Sequence, residues 1–338
     1  MSEISVLLPC YNAEDTLEEA LDSLSSQTKK NFEIVAVDDG SSDCTPEILT
    51  TWQKHDPRLR VITQEHQGIV AVSNAGLRLC RGTLVARMDA DDRALPNRLA
   101  LQAAFLDRNP EITVVGSLVE GFPRGSVGKG FQLYYRWLNS LVKPEEIARE
   151  IYVESPLANP STMFRREAVV KAGGYRDHGW PEDYDLWLRL HLAGCRFAKV
   201  PEVLLDWREH PDRLTHQDSR YSVKNFLRAK AHYLARGPLQ GRDAVIIWGA
   251  GMTGRRLSKH LIREGAPLRA FIDIDPEKIG RTRRGKPIYA REQLPEIWNQ
   301  HHNPVLISAV RARKARPLIR EKLAEFGLRE GRDWWAAA

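Results

Sequence analysis

Leu84-Val85-Ala86-Arg87-Met88-Asp89-Ala90-Asp91-Asp92 runs an apolar strand straight into three carboxylates. Negative charge set so densely at a strand's end calls for a cation, although an acidic turn in contact with water has the same composition. Hard divalent ions such as Mg²⁺ or Mn²⁺ take carboxylate oxygens, keep waters, and share their coordination with substrate phosphates. The stretch therefore reads as an oxygen-ligated metal site serving a nucleoside diphosphate.

Working outward, Ile4 to Leu8 and Phe32 to Val37 are continuous apolar runs separated by Leu17, Ala20, Leu21 and Leu24 at helical spacing. That is a β-α-β unit. Pro46 suits the first turn of a following helix, and Arg60 to Thr63 supplies a third strand. Gly68 to Leu79 is helical in pattern, with Ile69, Val72 and Leu79 as its expected buried face. Such alternation predicts an α/β fold with a mostly parallel sheet covered on both faces. Tyr11-Asn12, Asp38-Asp39 and Asp89 to Asp92 each follow a predicted strand, so they fall on one carboxyl edge, where open α/β sheets bind ligands. Gly121 to Gly130 is glycine-rich and basic, and precedes Tyr134-Tyr135-Arg136-Trp137. It reads equally as a mobile flap or a surface insertion.

The chain has 338 residues, of which 42% are apolar, enough for two ordinary cores. Its formal charge of +6 suits anionic partners without choosing among them. Cys10, Cys44, Cys80 and Cys195 lack metal-ligand or disulfide spacing, as expected of a reduced cytoplasmic protein. No basic region precedes Ile4, and no apolar stretch approaches the roughly 18 residues that span a bilayer. The expectation is a cytoplasmic protein, with peripheral contact at the inner face of a membrane and homo-oligomerisation both left open.

Turn formers in Arg236-Gly237-Pro238-Leu239-Gln240-Gly241 mark a boundary. Residues 1–236 form one expected domain, 237–241 a linker, and 242–338 a small Rossmann-like domain. A strand, Ala244 to Trp248, runs into Gly249-Ala250-Gly251-Met252-Thr253-Gly254. A helix to about Gly265 and a strand ending in Asp273 follow. Gly249, Gly251, Gly254 and Asp273 have the spacing of a dinucleotide fingerprint, and so form a second candidate nucleotide site. The domain is only half of a full dinucleotide fold, so a structural or assembly role stands ahead of bound NAD.

Four motifs in order carry a resemblance: Ser5-Val6-Leu7-Leu8-Pro9-Cys10-Tyr11-Asn12, Val37-Asp38-Asp39-Gly40-Ser41, Asp89-Ala90-Asp91-Asp92 with Pro96 and Arg98, and Glu182-Asp183-Tyr184-Asp185-Leu186-Trp187. Together they resemble the family 2 glycosyltransferases of GT-A fold, over residues 2 to about 215. The resemblance implies inverting transfer of a sugar from a nucleoside diphosphate, UDP favoured, to the hydroxyl of a glycan or lipid-linked acceptor, with Mn²⁺ or Mg²⁺ as cofactor and no nucleic acid as partner.

Carried over by position, Pro9, Tyr11, Asn12 and Asp39 resemble the family's donor-side contacts, with Tyr11 stacking on the base and Asp39 accepting a base N–H. Gly68 and Asn74 fit the donor-side helix, although Gln67 replaces the commoner asparagine. Asp89, beside Arg87, would approach the ribose or donor sugar. Asp91 would ligate the metal, with His210 completing the contacts from a segment in which Trp207 replaces the usual tyrosine. Asp183 resembles the general base and Glu182 a positioner of the acceptor. Both fall in the first turn of a helix, where its dipole favours negative charge, so Asp183 reads also as a simple cap. Asn159 to Phe164 resembles the strand beneath the acceptor pocket. Processive synthases of the family carry Gln-x-x-Arg-Trp beyond the base and usually membrane spans. This chain has neither, which implies one sugar per encounter. Competing readings are a nucleotide-sugar sensor without turnover, a sugar nucleotidyltransferase, which would need a glycine- and arginine-rich loop where Pro9-Cys10-Tyr11-Asn12 stands, and an oxidoreductase acting through the C-terminal glycines.

Overall fold

The structure is a computed structural model that describes residues 3–123, 125, 128–312 and 314–338, with nothing said of the side chain of Lys129. Part of the glycine-rich segment 121–130 therefore lies outside the described residues. The chain divides into two compact units: residues 1–148, 156–178 and 182–217 form the first, and residues 149–155, 179–181 and 218–338 the second.

Eight strands build the sheet of the first unit. They are β1 Ile4–Cys10, β2 Phe32–Asp38, β3 Leu59–Thr63, β4 Leu84–Arg87, β5 Arg93–Ala94, β6 Ile112–Phe122, β7 Met163–Arg165 and β8 Arg196–Arg208. Their order across the sheet is β3-β2-β1-β4-β7-β6-β8-β5. β1 to β4 are parallel, with Ile4 opposite both Phe32 and Leu84, so their carboxyl ends open on one edge. β7 runs antiparallel to β4, and β6 and β8 then pair parallel with one another. Every residue of β1 and β2 is buried, as a sheet covered on both faces requires. Leu17, Ala20, Leu21 and Leu24 are buried on the first helix, each large side chain contributing about 1.5–3 kcal/mol by leaving water.

The helix Ile69–Leu79 departs from its expected face. Val72, Ser73, Gly76 and Leu77 are buried, whereas Ile69 and Leu79 are half-buried. Gly76 explains the rotation, because a Cβ there would lie 2.2 Å from Leu7 Cδ1. The point of closest approach to β1 is a residue without a side chain, which an apolar periodicity does not register.

Beneath the edge, Arg98 and Gln102 form a buried polar lock. Arg98 donates to the Arg87 carbonyl at 2.6 Å, and Gln102 donates to the Ser161 carbonyl at 2.8 Å. Together they tie β4 to the Asn159–Ser161 turn before β7, satisfying carbonyls that burial would otherwise penalise.

The second unit has its own sheet: β9 Ala244–Trp248, β10 Leu268–Asp273, β11 Thr282–Arg283, β12 Lys286–Ala290, β13 Pro304–Ser308 and β14 Trp334–Ala336, in the order β11-β12-β10-β9-β13-β14. All its pairs are parallel except β11 with β12. The aromatic end of the chain is β14, with Trp334 buried. The Gly249-to-Gly254 turn has the close packing its spacing predicts. Gly249 adopts φ +107°, and a Cβ on Gly254 would stand 1.8 Å from the Gly249 carbonyl oxygen. Asp273, the acid of that fingerprint, is engaged by its own chain. Its Oδ2 accepts the Ala250 N–H at 2.8 Å, and its Oδ1 accepts those of Ile274 and Asp275 at 2.9 and 3.0 Å. It fastens the glycine turn to the end of β10.

Candidate functional site

The carboxyl edge of the first sheet carries three clusters. At the end of β4, Arg87 is 1% exposed, donates to the Met88 carbonyl and pairs with Asp89 Oδ1 at 2.6 Å. A guanidinium with no path to solvent holds Asp89 in place, which differs from the direct donor contact expected of it. Asp89, Asp91 and Asp92 each offer a carboxylate oxygen within 4.8 Å of the others. His210 Nε2 lies 3.0 Å from Asp91 Oδ2. Asp92 turns inward: its Oδ1 accepts the Arg208 N–H at 2.8 Å, and its buried Oδ2 lacks a partner.

Electrostatics make this cluster reluctant to carry three charges. Burial and the neighbouring carboxylates push Asp92 far above the usual carboxylate range, and burial raises Asp89 against the pull of Arg87. Oxygen donors this close, one of them buried and unpaired, fit a hard divalent cation, which would replace protons as the neutralising charge.

Arg208 and Arg213 support the cluster without having been singled out from the sequence. The Arg208 side chain donates to the Asp91 carbonyl at 2.6 Å and also pairs with Glu19. Arg213 is 8% exposed, stacks on Trp207 at 4.6 Å and pairs with Glu209 at 2.8 Å. Its charge stabilises the ionised forms of Asp89 and Asp92. A lone arginine at or beyond the end of a strand has no spacing signature, so only the fold reveals these two.

The second cluster sits at the ends of β1 and β2. Pro9 is buried within β1, and Tyr11 is 48% exposed, stacked on His66 with ring centroids 4.1 Å apart. Asn12, at φ 46°, accepts the Ser42 N–H at 2.9 Å and braces the loop after β2. Asp39 differs from its expected posture. Its Oδ1 accepts from Gln64 Nε2 and the Gln67 N–H, and its Oδ2 accepts the Gly68 N–H at 2.7 Å beside His66 Nδ1 at 2.9 Å. Both oxygens are engaged by the chain itself, so a base could bond to Asp39 only by displacing a side chain such as Gln64 or His66. Gly68, at φ +85°, precedes the helix Ile69–Leu79. Asn74 also departs from the donor side: it accepts the Tyr175 N–H at 2.9 Å and donates to the Tyr175 carbonyl at 2.9 Å.

The third cluster opens the helix Glu182–Leu192, whose Leu186, Trp187 and Leu190 are buried as their spacing predicts. Glu182 is buried and Asp183 partly so. Asp183 is pushed up to about 8, first by burial and then by the Glu182 charge, with Asp89 adding to the rise. Arg87 in turn feels the charge of Glu182. The helix start and the β4 end thus share one electrostatic environment, although about ninety residues separate them in the chain. Asp183 Oδ1 accepts the adjacent Tyr184 N–H at 2.6 Å, which leaves its other oxygen for a ligand. Gly249, Gly251, Gly254 and Asp273 belong to the other unit and form no part of this edge.

Comparison with known proteins follows these lines. Residues 5–173 match the sequence model of glycosyl transferase family 2, and residues 242–326 match that of the CoA binding domain. The chain is 35% identical over 211 residues to the amylovoran biosynthesis glycosyltransferase AmsE of Erwinia amylovora, covering 62% of this chain and 77% of that one. It is 25% identical over 248 residues to the UDP-Gal:alpha-D-GlcNAc-diphosphoundecaprenol beta-1,3-galactosyltransferase of Escherichia coli, covering 72% and 88%. Among solved structures, S. aureus TarS in complex with UDP superposes with a TM-score of 0.56 at 22% identity, over 78% of this chain and 71% of that one. The mannosyltransferase PcManGT from Pyrobaculum calidifontis, in complex with GDP-Man and Mn2+, gives 0.51 at 23% identity, over 69% and 62%. These likenesses show the GT-A fold. With the matched half of the sequence and the AmsE relative, they agree on one conclusion: the chain belongs to glycosyl transferase family 2.

Proposed function

We propose that this glycosyltransferase of glycan biosynthesis is inverting, non-processive and metal-assisted, and takes its sugar from a nucleoside diphosphate, with UDP favoured. The observation that carries the reading is the shared electrostatic environment of Asp89 at the β4 end and Asp183 at the helix start, with Asp91 and His210 bonded at the same strand end. That pairs a carboxylate cluster suited to a diphosphate-bound cation with a separate acid suited to proton transfer.

Asp91 and His210, with the neighbouring oxygens of Asp89 and Asp92, would hold the cation, which when bound neutralises the charge developing on the departing diphosphate. The chain's own residues do the rest. Tyr11 and His66 present stacked aromatic faces to a nucleobase. Arg87 keeps Asp89 oriented from below. Asp183, once ionised, accepts the acceptor hydroxyl's proton as that oxygen bonds the anomeric carbon and the sugar–phosphate bond breaks on the opposite face. Glu182 keeps Asp183 basic enough for that task.

The names of the similar enzymes support a UDP-sugar donor and a glycan or lipid-linked acceptor, and the mannosyltransferase complex with Mn2+ supports the cation. Non-processivity rests on the lack of a Gln-x-x-Arg-Trp sequence after Asp183. Among the described residues, no helix is long and apolar enough to cross a membrane. The second unit is proposed to have a structural or assembly role, since its fingerprint aspartate is engaged internally. The test is release of nucleoside diphosphate from UDP-, GDP-, dTDP- and CMP-sugars with and without Mn²⁺, followed by mass spectrometry of the acceptor. The reading predicts metal-stimulated release and a single added sugar. Binding without turnover would favour a sensor instead.

A further inference from the structure

The carboxyl edge continues past the cation cluster to strand ends that no motif marks. β4 and β6 are both antiparallel to β7, so they run the same way, and β8 runs with β6. Phe122 and Arg208, the last residues of β6 and β8, therefore reach the edge at which β4 ends. Beside them lies a cavity of about 460 Å³ with Glu19, Arg93, Glu120, Phe122, Asp206 and Arg208 in its wall. Small-molecule sites span about 300–1,000 Å³.

The charges of the wall are largely spent on one another. Arg93 pairs with Glu19 at 2.9 Å and with Asp206 at 2.7 Å, and Arg208 pairs with Glu19, so an anion finds no uncompensated cation. Both guanidiniums lie over the ring of buried Phe122, at 4.1 and 4.3 Å from its centroid, so an apolar ligand finds little free surface. Two polar atoms remain. Among the described residues none bonds to Asp206 Oδ1 or to Arg208 Nη1, and both side chains reach solvent, 18% and 16% exposed. One accepts and the other donates, which together match a hydroxyl group that does both.

Position along the edge assigns that ligand. The strands run β2-β1-β4-β7-β6-β8 across the sheet, which puts the stacked Tyr11 and His66 on one side of the cation cluster and this cavity on the other. A nucleotide sugar laid with its base on Tyr11 spends its diphosphate at the cation, and the space beyond is left to the acceptor. We infer that the cavity is a subsite for a sugar residue of the acceptor glycan, an inference that rests on the proposed function. Arg208 joins it to the cation cluster, since the same guanidinium donates to the Asp91 carbonyl at 2.6 Å.

The test compares wild type with Asp206→Ala, which deletes the free acceptor while Arg93 keeps Glu19, and with Asp206→Asn, whose amide oxygen still accepts. The donor site is first saturated with Mg²⁺ and the tightest-binding of UDP, GDP, dTDP and CMP. Saturation-transfer NMR is then recorded with the α- and β-methyl glycosides of glucose, galactose, mannose, N-acetylglucosamine and N-acetylgalactosamine. Wild type should bind at least one glycoside, Asp206→Ala about 10- to 100-fold more weakly, and Asp206→Asn nearly as well as wild type. Hydrolysis of the nucleotide sugar by water, which uses no acceptor, should be equal in all three. Replacing Mg²⁺ by Mn²⁺ in wild type should speed the relaxation of the bound glycoside's protons, a reading that needs no variant. No glycoside bound by wild type overturns the inference, as do equal binding by Asp206→Ala, a parallel loss of hydrolysis, or relaxation indifferent to Mn²⁺. A glycoside displaced by the intact nucleotide sugar, though not by the nucleoside diphosphate, sits in the donor's own sugar pocket and also overturns it. A wild-type protein that binds no nucleotide removes the function reading itself, and this inference with it.

Discussion

Asp183 combines two properties that a solvated helix cap lacks: a carboxyl held up to about 8 and an acidic neighbour, Glu182, beside it in a partly closed edge. As a base it must first lose its proton, so kcat/KM should rise with pH through a limb near 8 and level off above it. A pH profile flat from 6 to 9 would remove that role. The sign for stability is the opposite. With a folded value of about 8 against an ordinary 3.8, this group's contribution to stability is fully present below about 3.8 and is lost as pH rises through 8. Asp183→Asn should keep donor affinity within about twofold by calorimetry while cutting transfer about 10²- to 10⁴-fold. Retained turnover would assign the proton to another group.

Strand ends and the loops after them set the cation cluster. Arg208 terminates β8 and reaches the Asp91 carbonyl, Asp92 and Glu19 together. Arg208→Met should therefore weaken Mn²⁺ binding about 10- to 100-fold, read by titration against thermal shift, by loosening residues it does not itself replace. Equal Mn²⁺ affinity would show that the aspartates hold their geometry unaided. This division also explains what the sequence made legible. Asp89, Asp91 and Asp92 do follow a strand and Glu182 and Asp183 do open a helix, since charge at a strand or helix terminus is visible in a linear pattern, whereas His210 was reached only through the resemblance. The engagement of Asp39, Asn74, Arg87 and Asp273 with their own chain was not legible, because a carboxylate or amide has the same letter whether it faces a ligand or a backbone N–H. Gly76 shifted a helix face for the complementary reason: glycine scores as nothing in an apolar count, yet it sets the closest approach.

At the scale of the molecule, the second unit includes more than the residues after the turn at 237–241. It takes in 149–155 and the helix Val223–Arg236, within which buried Lys230 donates to the Val153 carbonyl at 2.6 Å and the Ala337 carbonyl at 3.3 Å. Buried Glu150 pairs with Arg316 at 2.7 Å and with Arg320. Deleting residues from Arg242 onward removes both arginines from Glu150 and one acceptor from Lys230. That truncation should lose about 3–5 kcal/mol in chemical denaturation and favour aggregation. A soluble fragment of unchanged stability would show the first unit to be independent of those pairings. The bond from Arg208 to the Asp91 carbonyl has a consequence for synthesis on the ribosome. Asp91 emerges more than a hundred residues ahead of Arg208 and His210, so a half-made chain carries an acidic loop without its buttress. A cation held there as proposed would thus be captured only after β8 has left the exit tunnel, which spares shorter nascent chains from competing for the metal.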